Sequence, residues 1–345
     1  MSLEDVPFPR AEDVQALLCA AGLPTRHWLE PVSGGVNNRV YRVECEGAAA
    51  LLKAYFRHPG DARDRLAAEF AFCRFAWERG LRSLPRPLAC DRSRDLGLYE
   101  FIEGRRLSPP EVGSEQVRQA LAFFLELNRH KAHPAAADLP DASEACFSPA
   151  EHLACVERRL AALEQVGGVT PLDREAGAFV RGELRAAWRD ARDQLIALAE
   201  QGGLPLDCPI DRRVEGCISP SDFGFHNAIL GTDGQLRFVD FEYAGWDDLA
   251  KMVCDFFCQP ALPVPLTHFD GFAAAVVADL PQAHRHLQRI RLLLPVYRIK
   301  WCCIMLNEFL PVGARRRSFA SDEDPLERRR VQLEKARQAL RQAST

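Results

Sequence analysis

The stretch Ile218–Asp248, ISPSDFGFHNAILGTDGQLRFVDFEYAGWDD, sets the fold. Two apolar runs of β type, Ala228-Ile229-Leu230 and Leu236-Arg237-Phe238-Val239, flank Gly231-Thr232-Asp233-Gly234. Asp-Gly between such runs is a hairpin signal. Asp222 stands just before the first run, with Asn227 five residues on, and Asp240 just after the second. A tight hairpin brings these three to one end of one ribbon. Two carboxylates and an amide are hard oxygen donors, suited to magnesium and phosphate rather than to a soft metal. Any one of the three alone reads as an ordinary turn residue. Together, at this spacing, they do not.

Phosphoryl transfer needs these parts: one Asp to orient or deprotonate the attacking hydroxyl, and an Asn and a second Asp to hold magnesium against the phosphates. Asp-x-x-x-x-Asn followed by a hairpin and Asp-Phe is the layout of kinase catalytic and metal loops. The stretch resembles the catalytic loop of the aminoglycoside phosphotransferase and choline kinase family, which shares the protein-kinase-like fold. Asp240-Phe241-Glu242-Tyr243-Ala244-Gly245 is similar to the metal loop of choline-kinase-like enzymes. There is one departure. Those families usually carry His-Gly, and protein kinases His-Arg, directly before the catalytic Asp, where this chain has Pro220-Ser221. That His normally braces the metal-loop backbone, so its replacement bears on bracing and removes no ligand.

Composition agrees. A chain of 345 residues with 47% hydrophobic content has ample material for a full core and two lobes. The net charge of -4, from 44 basic and 48 acidic residues, is not that of a strongly basic nucleic-acid binder. The start Met-Ser-Leu-Glu-Asp lacks a basic segment followed by an apolar one, so no signal peptide is expected. With no run of about twenty apolar residues, no membrane span is expected. These features point to a soluble cytoplasmic protein. The 12 cysteines include no Cys-x-x-Cys; they read as small buried side chains rather than zinc ligands or disulfides.

Upstream parts follow in kinase order. Ser33-Gly34-Gly35-Val36-Asn37-Asn38 interrupts a strand-turn-strand pattern. Gly and Asn tolerate the backbone angles that aim N–H groups at an anion. No Gly-Lys-Ser/Thr follows, so this is not a P-loop. It is similar to the Ser-Gly-Gly-x-x-Asn loop of aminoglycoside-phosphotransferase-like kinases, which covers the nucleotide phosphates. Ser33, Gly34, Gly35, Asn37 and Asn38 are therefore nucleotide-binding candidates. The strand from Ala49 to Phe56 carries Lys53, which either snorkels from a sheet edge or contacts phosphate. The spacing predicts a helix from about Asp61 to Arg79, with Leu66, Phe70, Cys73 and Trp77 on one face and Glu69 flanking it. Glu69 resembles the helix Glu that pairs with the strand Lys throughout this fold. Leu96–Gly104 reads as a strand running into a turn, and the resemblance makes it the inter-lobe hinge. Glu100, Phe101 and Ile102 would then meet the adenine through their backbone.

Beyond Glu111 the pattern is mostly helical. Helices are expected over Val117–His130, from Ser148 (a capping box with Pro149 at the first position), over Asp173–Gln201, and over Leu287–Leu310 with a break or bend near Pro295. Asn128, His130 and His133 read as structural or exposed. Asp247 and Asp248 suit a helix N-terminus, and Asp247 or Asp255 could equally fix the metal loop. Arg315-Arg316-Arg317 and Arg328-Arg329-Arg330, interleaved with acids, read as a solvated, salt-bridged helix rather than a nucleic-acid patch.

The expected fold is α+β and bilobal, protein-kinase-like, with residues 1–104 as the antiparallel-sheet N-lobe and 105–345 as a mostly helical C-lobe. The resemblance implies ATP and magnesium. Asp222 would be the catalytic residue, Asn227 and Asp240 the metal ligands, and Lys53, positioned by Glu69, the anchor of the α and β phosphates. The acceptor would be a hydroxyl of a small molecule: an amino sugar, sugar, amino alcohol or similar. A cationic acceptor needs convergent carboxylates, with Glu242, Asp247 and Asp248 as candidates. The alternative is a pseudokinase or nucleotide-dependent binding protein, for which Pro220-Ser221 is the sole sequence support. A protein kinase fits less well, because Glu242-Tyr243 replaces the rest of Asp-Phe-Gly and no Ala-Pro-Glu element follows.

Overall fold

Five short strands in the first hundred residues pair in the order β1-β2-β3-β5-β4, every pair antiparallel. They are β1 (His27–Pro31), β2 (Arg39–Cys45), β3 (Ala48–Ala54), β4 (Pro87–Asp91) and β5 (Leu96–Glu100). The computed structural model describes residues 9–32, 38–58, 61, 63–320 and 323–343. Side chains alternate across a strand, so β3 serves two layers. Ala50 and Leu52 join Val14, Leu17 and Leu18 of α1 (Ala11–Ala20) in a small core. Leu51 packs instead on the main core, which includes Leu66, Phe72 and Cys73 of α2 (Arg65–Glu78). Lys53 shares the face of Leu51. Helix α2 starts four residues later than the pattern predicts, because Asp64 caps it, accepting from the Ala67 N–H at 2.9 Å.

The chain leaves the sheet after Glu100 and reaches the catalytic hairpin at Gly104, where a Cβ would overlap the Leu230 carbonyl oxygen. That close approach lets β6 (Arg105–Arg106) pair with the hairpin of the catalytic stretch. Helices then dominate: α3 (Ser114–Arg129), α4 (Pro149–Glu164), α5 (Pro171–Phe179) and α6 (Arg185–Gln201). The last two are joined by a π-helical turn over Val180–Leu184, so the predicted long helix is continuous but locally underwound. Strand β7 (Cys217–Ser219) precedes the hairpin of β8 (Ala228–Leu230) and β9 (Leu236–Phe238), whose register pairs Ala228 with Phe238. Strand β10 (Gly245–Asp247) returns antiparallel to β7. Helices α7 (Leu249–Cys258), α8 (Phe269–Val277), α9 (Ala283–Met305), α10 (Pro311–Ala320) and α11 (Pro325–Ala343) complete the lobe. Of the break or bend expected near Pro295, a break does not occur: α9 runs through it and packs on α4, α6, α7 and α11.

The result is a bilobal α+β fold, a sheet lobe over a helical one. Among the described residues no helix is long and apolar enough to cross a membrane. All twelve cysteines are free thiols, with only Cys19 and Cys208 exposed.

The helical lobe buries charge in pairs. Asp248 caps α7 through the Ala250 N–H at 2.8 Å and binds Arg289 at 2.8 Å and His152 at 3.0 Å. Burial alone would raise its pKa, but the Arg289 guanidinium and His152 hold it at about 2, below its ordinary 3.8. A carboxyl depressed in the folded state stabilises above its ordinary value and loses that contribution as pH falls through the folded one. Asp248→Asn is therefore expected to cost about 3 kcal/mol at neutral pH, by stranding a buried guanidinium. In denaturant titrations at stepped pH, the gap between the two proteins should narrow below about pH 4. A gap independent of pH would refute this assignment of charge.

Candidate active site

Lys53 leaves β3 into a space between the sheet, α2 and the catalytic hairpin. Its Nζ lies 2.8 and 2.9 Å from the Glu69 carboxylate and 2.6 Å from Asp240. Glu69 also accepts from Tyr55 Oη at 2.7 Å, and Tyr55 meets Tyr99 at 2.8 Å. Burial favours a neutral Lys53, but Asp240 and Glu69 outweigh it and keep the ammonium charged. The pair of strand lysine and helix glutamate, expected from order and spacing, is thus present as a buried ion pair. Its third member, Asp240, comes from just beyond β9.

The catalytic stretch is held from several sides. Asn128 of α3 receives the Ile218 N–H at 2.9 Å and donates to the Ile218 carbonyl at 3.0 Å, clamping β7. The Val239 N–H donates to the Asn227 carbonyl at 2.9 Å. Phe241 is buried, its ring 4.6 Å from that of Phe72. These contacts brace the loop where Pro220-Ser221 replaces the expected His. Ser221 and Asp240 sit at φ +65° and +69°. Non-glycine residues adopt that region at a cost of about 1–3 kcal/mol and cluster at functional sites.

Asp222, Asn227 and Asp240 all border one cavity of about 1370 Å³, as expected of one ribbon end. Asn227 Nδ2 donates to the Asp222 carbonyl at 3.0 Å, and its Oδ1 accepts from none of the described residues. The Asp240 side chain is about one-third exposed (32%), so it keeps oxygen surface beyond that bound to Lys53. An amide oxygen and a carboxylate open to one cavity suit a hard cation such as magnesium. No cluster of three or more His, Cys, Asp or Glu side chains offers an all-protein metal cage among the described residues. Asp222 Oδ1 meets His226 Nε2 at 3.3 Å. Burial would raise the Asp222 pKa, but His226 and the Lys300 charge hold it below the ordinary value. His226, Tyr55 and Lys300 were not singled out from sequence. His226 lies four residues after Asp222, on a 3₁₀ turn over Phe225–Asn227 that sets its ring against the carboxylate.

Glu100, Phe101 and Ile102 line the same cavity, and the chain leaves regular structure at Phe101. Asn38 borders it but is occupied: Nδ2 donates to Glu242 at 2.6 Å and Oδ1 accepts the Phe56 N–H at 3.2 Å. Ser33, Gly34, Gly35 and Asn37 lie outside the described residues. Two expectations are corrected. Glu242, Asp247 and Asp248 do not face an acceptor. All are buried and engaged, Glu242 by Asn38, Asp247 by Lys251, and Asp248 by Arg289. Nor is Arg315–Arg317 a purely solvated face, since Arg316 and Arg317 border the cavity.

A sheet lobe and a helical lobe with paired charge between them, facing two acids and an amide, make this a kinase-like phosphotransferase. The model of the phosphotransferase enzyme family (APH) matches residues 28–291, and the chain belongs to that family. It is a phosphotransferase. A choline/ethanolamine kinase family protein from Mesorhizobium loti is similar in structure, with TM-score 0.58 and 16% identity over 96% of this chain and 95% of that one. A spectinomycin phosphotransferase in complex with ADP and spectinomycin has TM-score 0.59 and 13% identity, covering 96% and 99%. The choline kinase of Streptococcus pneumoniae has TM-score 0.55 and 13% identity, covering 96% and 97%. No curated protein matches the sequence significantly.

The Lys53–Glu69 pair yields a structural test independent of turnover. Lys53→Met leaves Glu69, only 1% exposed, without its cation and should cost about 3 kcal/mol in chemical denaturation. Adding Glu69→Met should recover much of that loss, as a double-mutant cycle would show. Additive losses would mean that the two side chains do not act as a pair.

Proposed function

We propose that this phosphotransferase moves the γ-phosphoryl group of ATP, with magnesium, to a hydroxyl of a small molecule. The observation that carries the proposal is the Lys53 ammonium held between Glu69 and Asp240 on the cavity that Asp222 also borders. Lys53 would hold the α and β phosphates, as a charged donor that Glu69 keeps in place. Glu100, Phe101 and Ile102 would offer backbone groups to the adenine. The turn from Ser33 to Asn38 would cover the phosphates, with Asn38 tying it to Glu242.

Asn227 and Asp240 would hold the magnesium, which when bound neutralises phosphate charge. Asp222 would accept the proton of the acceptor hydroxyl as its oxygen bonds to the γ-phosphorus and the bond to the ADP oxygen breaks. His226 would position the Asp222 carboxylate. His226 keeps the Asp222 carboxylate ionised despite its burial, so it can orient the acceptor hydroxyl as well as take its proton. The remainder is alignment and charge stabilisation by groups already in place. We place the lobe boundary at Gly104, where the chain reaches the catalytic hairpin. The twelve unpaired cysteines support a cytoplasmic location.

Asp222→Asn should lower turnover by about 10²–10⁴-fold while leaving the Kd for magnesium–ATP nearly unchanged by calorimetry. Chelation of magnesium should abolish turnover. Full activity of Asp222→Asn would remove the residue from the reaction, and failure of the wild-type protein to bind magnesium–ATP would remove the kinase reading itself.

A further inference from the structure

The cavity that Asp222 borders is also lined by residues of α4, α9, α10 and α11, and this arm of its lining is cationic. Four carboxylates border it, and each is already bound by a cation. Asp61 holds Arg63 at 2.6 Å, and Asp141 holds Arg212 at 2.6 Å. Glu144 takes Arg159 Nε at 3.1 Å, and Asp255 takes Lys300 at 2.9 Å. Four cations that border the cavity have no ion-pair partner among the described residues: Arg106 of β6, which donates to the His226 carbonyl, and three on the helices of this arm, Arg158 of α4, Arg316 of α10 and Lys335 of α11. Arg316 is the most informative. It is half-buried, and its Nε is buried without a hydrogen-bond partner. A buried guanidinium N–H left unsatisfied is costly unless a ligand satisfies it. Lys300, 5% exposed at the side chain, extends the positive field to Asp222 itself.

A choline-like or amino-sugar acceptor would meet no free carboxylate here and three uncompensated cations. Like charge in a low-dielectric cleft repels such a ligand, whereas an anion is drawn in. The guanidinium fork suits the planar or tetrahedral oxygens of carboxylate and phosphate. We propose that the acceptor is itself an anion: a hydroxyl compound bearing a phosphate or carboxylate group, bound by Arg316 and Arg158 with its hydroxyl presented to Asp222. This rests on the kinase reading above and specifies its substrate class.

The test uses sets of hydroxyl compounds that share a skeleton and differ in charge. Glucose 6-phosphate and gluconate are compared with glucose and glucosamine, and glycerol 3-phosphate and glycerate with glycerol and ethanolamine. Magnesium-dependent ATP consumption is measured for each, and binding is followed by thermal shift of the protein loaded with magnesium and ADP. An anionic member should exceed its neutral and cationic counterparts by about 100-fold in kcat/KM, the worth of two charge-assisted contacts. The phosphate and carboxylate arms tell the two oxyanions apart. Arg316→Gln and Arg158→Gln should each raise KM for that acceptor by about 10-fold without changing KM for ATP.

A rise in KM for ATP instead would show that these cations serve the nucleotide, overturning the proposal. So would preference for a neutral or cationic member, or the absence of any turned-over or bound anion in a protein that binds magnesium–ATP. Those outcomes leave the kinase reading standing. Only loss of magnesium–ATP binding, or Asp222-independent turnover, strikes at that reading.

Discussion

One buried ammonium joins the parts of this enzyme. Lys53 stands on the sheet, Glu69 on α2 and Asp240 beyond the hairpin, and the three meet within 2.9 Å. A single cation between two carboxylates is a poor source of net stability, because desolvating three charges offsets most of their attraction. It is a demanding constraint on position, however, since any displacement leaves a charge uncompensated. The triad therefore fixes the sheet lobe against the catalytic hairpin more than it stabilises either. Tyr55, bonded to Glu69 and Tyr99, extends the constraint into the sheet. A net negative charge around Lys53 also leaves the site short of a positive partner, which a metal cation bound at Asp240 would supply.

A second ionic layer lies behind the catalytic stretch. Asp247, Asp248 and Asp255 flank or lie on α7, and each meets a buried cation: Lys251, Arg289 and Lys300. Lys300 and Arg289 both come from α9, so that helix backs the whole stretch from β10 through α7. Such backing matters because Ser221 and Asp240 hold left-handed backbone angles that only a rigid surround maintains. It also answers the departure at Pro220-Ser221. The clamp of Asn128 on Ile218, the Val239–Asn227 backbone bond and the burial of Phe241 against Phe72 hold the loop by other means. The departure thus carries little weight toward a binding protein without turnover.

Local chemistry was legible in the sequence where a short interval carries it. Asp222, Asn227 and Asp240 are tied by a hairpin whose turn residues announce it, and Lys53 and Glu69 stand in a fixed order around one strand and one helix. Boundaries set by side chains were less visible. Helix α2 begins at Arg65 because Asp64 caps it, and α9 continues unbroken through Pro295 where the local pattern predicts a break or bend. Least visible were partners distant in sequence. Asn128 reads as an ordinary polar residue until α3 brings it to β7, ninety positions on. Tyr55 and His226 gain their meaning only from what they face.

The same limit explains the misjudged charges. Glu242, Asp247 and Asp248 sit beside the metal loop and so look available to an acceptor, yet the fold turns each toward a buried cation. Arg315–Arg317 sits near acids in sequence and so looks neutralised. In space, Arg317 finds Glu308 at 3.5 Å, Arg315 faces His58, and Arg316 is left at the cavity. A chain with net charge -4 therefore lines part of its cavity with charge of the opposite sign. Field inside a cleft follows the charges that line it and the low-dielectric walls between them, not the total over the surface. Selection of a ligand by charge is thus a property of how pairs are closed in three dimensions: each carboxylate consumed by a structural partner shifts the remaining balance of the cavity toward the cations.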